Sequence, residues 1–500
     1  MSTQKKSITK ANSPGYWKFL VSKGQLADWG VLFGSVAVGL LLVMAFYPIP
    51  EVISDSIGYL LYAQTKQFLA YRPIGYSLYL CFIHWFSRSM TAVVISQALI
   101  YTVSLGMLLL AVKKYWPPRR KSVFFAVEAL TALCPTCIFM IDTILSDTLL
   151  CSLVFVMVTM VIVMIQERSW IALIVFEAAL YAALFTRYSA MFFPIAFVPI
   201  FAMNGKAIMR IASIALTAAV FLTFHTQLSN YMSIITGKPQ FSTGFDGWQL
   251  ANNAMHVLPY IDPPRTKLDL PRDPALAQIH TFSYFNFKHK IKEVTNDGKK
   301  VTAYFLWDRE SPLKLLLIQQ LEHSNTLYQN LWVRFGSVEY KNYGKWLILK
   351  YPGKFIRYYL LPNSKSAFYP YHEVVFNYSN VEAGKKEIVN WFDFPEDKPL
   401  EPRSDGLGKI MRPVLPWFDV ITWLIFIASA LVLFFRKNKE KLPRESVQVL
   451  LMIFLFGLIY YGTTVFASPI AIRYWMPMYA IKVAFAWIAL QCAGFRWSKA

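Results

Sequence analysis

Six charged residues sit where apolar runs of sequence meet polar connections: Asp55, Arg72, Asp142, Asp147, Arg187 and Arg473. Carboxylates at such places can take a proton from an attacking hydroxyl or ligate a hard cation. Guanidinium forks match the oxygens of a phosphate and stay charged at any working pH. Ionisable groups beside hydrocarbon cost free energy unless they face a cavity or a partner, so a group of both signs on one membrane face is a functional-site candidate. The plainer alternative is that each residue caps a helix in the headgroup layer, where snorkelling charges are common.

The elements that would position these residues follow from composition. Hydrophobic residues make up 56% of the 500, against roughly 45–50% in soluble domains, and they are blocked rather than spread. Runs such as Val31 to Tyr47, Thr148 to Ile165 and Val420 to Phe435 approach the roughly 17–25 residues that span hydrocarbon. The pattern predicts a predominantly α-helical polytopic membrane protein with about ten crossings, near 29–47, 91–112, 123–143, 148–165, 170–186, 189–203, 209–226, 417–435, 447–466 and 474–493. The first apolar run starts after about 28 polar residues with no small-residue cleavage site behind it, so it reads as an anchor and not a secretory signal. The stretch Ile74 to Phe86 is short for a span and rich in Tyr, Trp and His, which predicts an interfacial helix in the first loop, 48–90.

The net charge of +21 is carried largely in short basic tracts flanking the apolar blocks, which favours a role in topology over nucleic-acid binding. With Ile74 to Phe86 outside the count of spans, twenty Lys and Arg fall on one side in short connections and five on the other. The positive-inside rule then puts residues 1–28 and the C-terminus in the cytoplasm and the six charged residues on the outer face. Residues 29–226 form the first membrane module, 417–500 the last helices, and 227–416 a water-facing domain between the seventh and eighth crossings. Helical spacing at Ser311 to Gly336 and Gly344 to Leu361, with turn and strand formers between Lys290 and Trp307, predicts a mixed α/β fold there. That domain contains no cysteine; all five (Cys81, Cys134, Cys137, Cys151, Cys492) lie in apolar segments, and Cys134-Pro135-Thr136-Cys137 reads as packing thiols inside a membrane helix.

The first loop reads Asp55-Ser56-Ile57-Gly58-Tyr59 and then Tyr71-Arg72-Pro73-Ile74-Gly75-Tyr76. It resembles the first outer loop of GT-C glycosyltransferases of the protein mannosyltransferase and lipid A aminoarabinose transferase type. Three further resemblances follow in order: Leu145-Ser146-Asp147-Thr148 with the second outer acidic motif, Phe185-Thr186-Arg187 with a Thr-Arg step before a helix, and Ala471-Ile472-Arg473-Tyr474-Trp475-Met476-Pro477 with an Arg-Tyr-x-x-Pro late helix. Ile74 and Ser77 stand where the family usually carries prolines, and Asp147 where Glu is frequent. The matches cover the membrane portion and leave residues 227–416 unmatched.

What the resemblance implies is transfer of a sugar from a polyprenyl-phosphate donor to a glycan, lipid or protein acceptor on the outer face of a membrane. Asp55 is then the catalytic base, and Asp147 shares that role or orients the acceptor. Arg473, Arg187 and Arg72 bind the donor phosphate, and Tyr59, Tyr76 and Tyr474 line the substrate. Direct displacement at the anomeric carbon inverts it. The resemblance leaves the cofactor open, since some members of the family use a metal and others do not, and Asp55 with Asp147 offers oxygen ligands for a divalent cation. Trp248 is read first as a residue packed in a loop, with stacking on a sugar as part of the cavity roof the alternative. His256, His323 and His372 are too scattered for metal spacing, and Glu128, Glu177 and Lys482 read as buried partners between helices. Asn377-Tyr378-Ser379 is one glycosylation sequon, a three-residue match that decides nothing. The economical location is a bacterial inner membrane, with membrane lipids as surroundings and no nucleic-acid partner. The competing readings are a polytopic transporter or lipid flippase and a non-catalytic assembly protein.

Overall fold

A computed structural model describes residues 14–66, 72–203, 207–264, 269–370, 385–395, 403–435 and 442–494. His372 and the sequon at Asn377 lie outside the described residues, as do the N-terminal lysines up to Lys10 and the end of the C-terminal tail.

The described chain is helical, and its pairing of extended backbone is limited to an isolated bridge between Glu51 and Thr143. Among the described residues six helices are long and apolar enough to cross a membrane: Lys23–Phe46, Met90–Tyr115, Ser146–Glu167, Ala207–Thr236, Gly406–Phe434 and Arg444–Ala467. A seventh candidate is the pair Lys121–Ala132 and Pro135–Ile141, bent by 50°. The bend has a local cause. Pro135 opens the second helix, and a proline pushes the residue before it out of helical backbone; Cys134 accordingly sits at φ −48° and ψ 114°. Cys134 and Cys137, expected inside one continuous helix, therefore lie at and just beyond a break, both buried.

Ser146–Glu167 is the axis of the membrane part. It packs against Met90–Tyr115, Trp170–Thr186, Arg444–Ala467 and Met476–Cys492, and its face is apolar nearly all round, as a helix surrounded by helices requires. Ala207–Thr236 keeps most of its apolar side chains at the surface, a disposition that suits lipid contact. At 30 residues it is about 45 Å long, longer than the roughly 30 Å hydrocarbon layer. It runs past the boundary read near residue 226, because Gln227 to Thr236 keeps helical spacing after its hydropathy has fallen.

The mixed α/β expectation for 227–416 is not met: among the described residues this region is helices and loops. Where strands were expected, Pro274–Val294 remains helical, and Asn296, Asp297 and Gly298 then turn the chain with three successive positive φ values. The extended residues that follow have no neighbouring strand among the described residues. The backbone of Thr302 is satisfied by side chains instead: Asn252 Nδ2 donates to Thr302 O at 3.1 Å, and Thr302 N donates to His256 Nε2 at 3.1 Å. Helices Phe245–Ala254, Tyr328–Phe335 and Lys341–Lys350 meet closely enough that glycine is required, since a Cβ on Gly247 would lie 1.7 Å from Gly336 O.

Candidate active site

Of the six charged residues, Asp55, Asp147, Arg187 and Arg473 sit at helix ends or short turns, and for the first three the helix dipole favours the charge. Asp55 and Asp147 are in the first turns of Ser54–Thr65 and Ser146–Glu167, the end at which the helix dipole stabilises anions. Arg187 caps the C-terminus of Trp170–Thr186, where a cation is favoured, and Arg473 lies in the short turn Ile472–Trp475 before Met476–Cys492. Arg72 precedes the helix Gly75–His84, which at ten residues is about 15 Å long and too short to cross.

The fold brings these five together although they are spread over more than 400 positions of sequence. Arg72 pairs with Oδ1 of Asp55, and Arg473 Nη2 donates to Oδ2 of the same carboxylate at 2.8 Å. Arg187 pairs with Oδ1 of Asp147, while Arg473 Nη1 lies 3.9 Å from Asp147 Oδ2. The charges thus alternate, Arg72, Asp55, Arg473, Asp147, Arg187, with three cations to two anions. Asp147 and Arg473 form the buried floor, at 4% and 8% exposure, and Asp55 and Arg72 stand toward an open edge. Burial alone would raise the Asp55 carboxyl, but Arg72 and Arg473 outweigh it and hold the group well below the ordinary carboxylate range.

Aromatic rings complete the walls. Tyr474 lies beneath two guanidinium groups, 4.8 Å from Arg187 and 5.4 Å from Arg473, and Arg72 lies over both Tyr59 and Trp307 at 5.7 and 5.9 Å. Tyr59 is tied to the second acidic motif by a 2.9 Å bond between its hydroxyl and Ser146 Oγ. Tyr76 belongs one layer behind: it is fully buried and donates to Gln97 Oε1 at 2.8 Å. Trp248 is not brought to the cluster. It is buried within residues 227–416, with Trp332 stacked on it at 4.1 Å and Lys314 4.7 Å from its ring. Nor does Asp142 join the arginines; it caps Pro135–Ile141, and its backbone oxygen accepts from Glu51 N at 3.0 Å.

Sequence reasoning missed the braces. Gln97 Nε2 donates to the carbonyls of Ile141 and Thr143, at 2.7 and 3.0 Å, while its other end holds Tyr76. One side chain therefore fixes both acidic loops, and an amide inside an apolar helix was the available signal. Trp307 left no signal at all, since it comes from the region between the seventh and eighth predicted crossings. The three intramembrane residues do bridge helices or cluster with buried charge: Glu177 accepts from Thr217 at 2.7 Å, Lys482 pairs with Asp419 at 2.7 Å, and Glu128 is buried beside Asp28.

A divalent cation does not fit this donor set. The oxygens of Asp55 and Asp147 are turned to guanidinium groups, and a cation would enter a cluster already one charge positive. Among the described residues no group of three or more His, Cys, Asp or Glu is arranged to hold a metal. The arrangement suits an anion at its open edge, with a carboxylate beside it. No family model matches the chain, and no match is found among curated proteins or solved structures.

Proposed function

We propose that this chain is a GT-C-like membrane glycosyltransferase that moves a sugar from a polyprenyl-phosphate donor to an acceptor on the outer face. The observation that carries the reading is Arg473. It is buried and bonded to Asp55, yet its Nε and Nη1 make no hydrogen bond among the described residues. A buried guanidinium with spare donors, in a cluster with one positive charge in excess, calls for an anion with several oxygens.

The chemistry then runs through this chain's own groups. The donor phosphate takes the spare donors of Arg473, with Arg187 and Arg72 on either side, and the arginines stabilise the negative charge that grows on the departing phosphate. Asp55 is ionised and faces the open edge, so it accepts the proton of the acceptor hydroxyl as that oxygen attacks the anomeric carbon. As Arg473 turns from the carboxylate to the phosphate, Asp55 loses a stabilising partner and its proton affinity rises, which makes it a better base when donor is bound. Attack opposite the phosphate inverts the sugar.

In this reading the six long helices, the bent pair and the three shorter ones, Trp170–Thr186, Tyr188–Met203 and Met476–Cys492, give ten crossings. Both termini are cytoplasmic, and the membrane is the bacterial inner membrane. The test is transfer of radiolabelled sugar in membranes holding wild type or Asp55→Asn, supplied with a panel of polyprenyl-phosphate sugars and envelope extract. Label moved by wild type and not by an equally abundant Asp55→Asn supports the enzyme. Equal transfer by both removes Asp55 as base, and no transfer with any donor turns the reading toward a flippase.

A further inference from the structure

The last turn of Arg444–Ala467 ends five residues before Ile472–Trp475, the turn that carries Arg473. A helix C-terminus leaves its final carbonyls without intrahelical partners, and when that end is buried other groups must supply them. Here the outer domain does so. Ser468 N closes on Thr464 O at 3.1 Å. Asn363 Nδ2 donates to Val465 O, at 2.7 Å, and to Ser468 O, also at 2.7 Å. Asn253 Nδ2 donates to Phe466 O at 2.8 Å and to Ala467 O at 3.1 Å, and Tyr359 OH donates to Phe466 O at 3.3 Å. Asn363 also accepts: Ile470 N donates to its Oδ1 at 3.0 Å. Asn253, Tyr359 and Asn363 are all buried.

Two asparagines and a tyrosine therefore hold every carbonyl from Val465 to Ser468 and the amide of Ile470. Three residues further on is the arginine with the spare donors. The outer domain also places Trp307 against Arg72 on the opposite edge of the cluster. Asparagine is suited to the task because a single side chain donates twice and accepts once, and no apolar residue of similar size could satisfy these groups.

We propose that Asn363, with Asn253 and Tyr359, is a positioning residue for Arg473, so that the outer domain sets the affinity of the membrane-level anion site. This rests on the reading of Arg473 as the donor-phosphate ligand. An acceptor seated on the outer domain would then be felt at the phosphate through this clamp, without a contact of its own to the lipid.

The experiment measures binding of farnesyl phosphate to full-length protein in detergent micelles, followed by intrinsic tryptophan fluorescence. Asn363→Ala is expected to weaken binding about 10-fold. In an Arg473→Lys background the same change should cost less than about 3-fold, because the residue acts only through that arginine. Equal losses in the two backgrounds, or no loss in either, overturn the proposal. If wild type fails to bind farnesyl phosphate, the phosphate reading itself is at fault. The clamp is then judged by hydrogen–deuterium exchange: faster exchange across 465–475 in Asn363→Ala, with 146–167 unchanged, upholds it, and unchanged exchange across 465–475 overturns it. Should Asn363→Ala not fold, Asn363→Asp, which keeps the acceptor for Ile470 N and loses both donated bonds, serves in the same comparisons.

Discussion

Two sets of opposite charges in this molecule look alike in sequence and differ in what they can do. Lys482 and Asp419 join Met476–Cys492 to Leu415–Phe434, one cation to one anion, at 1% and 0% side-chain exposure. Trp423 and Tyr479 close over the lysine at 4.6 and 5.2 Å. The cluster around Arg473 holds three cations to two anions and leaves Arg72, Asp55 and Arg187 partly open. A balanced, sealed pair has neither a charge excess nor an open edge and acts as a brace, even though Asp419 Oδ2 accepts no hydrogen bond among the described residues. An unbalanced cluster with an open edge can bind one. Burial alone does not separate the two; charge excess and access do.

The sharpest way to break this contrast is to remove charge from each. Arg473→Met should lower sugar transfer on the order of 1000-fold. The double change Lys482→Met with Asp419→Leu should leave transfer within about 3-fold of wild type, since a buried ion pair exchanged for apolar residues of similar size is often neutral. A double variant as inactive as Arg473→Met would show that the pair belongs to the site. Removing only one partner is different. Lys482→Met strands a buried carboxylate, and the expected cost is about 3–5 kcal/mol, read as a lower unfolding temperature in micelles; the double variant should recover most of it.

Acid separates the regions in another way. His256 sits in the 227–416 region with Nδ1 toward Asn252 O at 3.0 Å and Nε2 accepting from Thr302 N at 3.1 Å. That backbone N–H requires Nε2 to be unprotonated, so the ring is the neutral Nδ1–H tautomer. Burial pulls His256 down to about 4, and burial with Lys350 nearby pulls His280 down to about 4 as well. Between about pH 6.5 and 4 the unfolded chain binds protons that the folded one does not. Stability is therefore full above that window and falls as pH drops through it, by on the order of 3 kcal/mol for His256. In the donor-free protein Asp55 stays ionised throughout, because its arginines hold it below the ordinary range. Loss of donor binding near pH 5 should accordingly track unfolding of the region around His256 and His280. Loss with the fold intact would move the titration to the cluster.

The sequence made some of this legible and hid the rest for physical reasons. Hydropathy exposes spans because hydrocarbon allows few alternatives, and Asp55, Arg72, Asp147, Arg187 and Arg473 were found because charges at the ends of apolar runs are conspicuous. Val301 and Thr302 misled toward a strand, since β-formers without a partner strand can be satisfied by Asn252 and His256. Trp248 packs under Trp332, in keeping with the favoured packed reading and not with the alternative of a sugar platform. Gln97, Asn253 and Asn363 work through backbone atoms far away in sequence, a pairing that no local pattern encodes.

Gly75 offers the finest test, because it changes geometry without changing charge. A Cβ there would lie 2.6 Å from Phe185 O and 2.9 Å from Thr186 N, which is backbone immediately before Arg187. Neither side is a flexible side chain that can swing aside, so Gly75→Ala must push the first loop away from the Arg187 turn at a cost of about 1–3 kcal/mol. Arg72 and Asp55 would move with one element and Arg187 and Asp147 with the other. Gly34 in the first span has nothing within 4 Å of its Cβ position, and Gly34→Ala is the control. If the cluster acts as a pool of positive charge, both variants should transfer sugar alike. If spacing between the arginines matters, Gly75→Ala should lose about 10-fold in transfer while Gly34→Ala loses nothing, with the loss in donor KM if the phosphate seat is stretched and in kcat if Asp55 is displaced from the attacking oxygen.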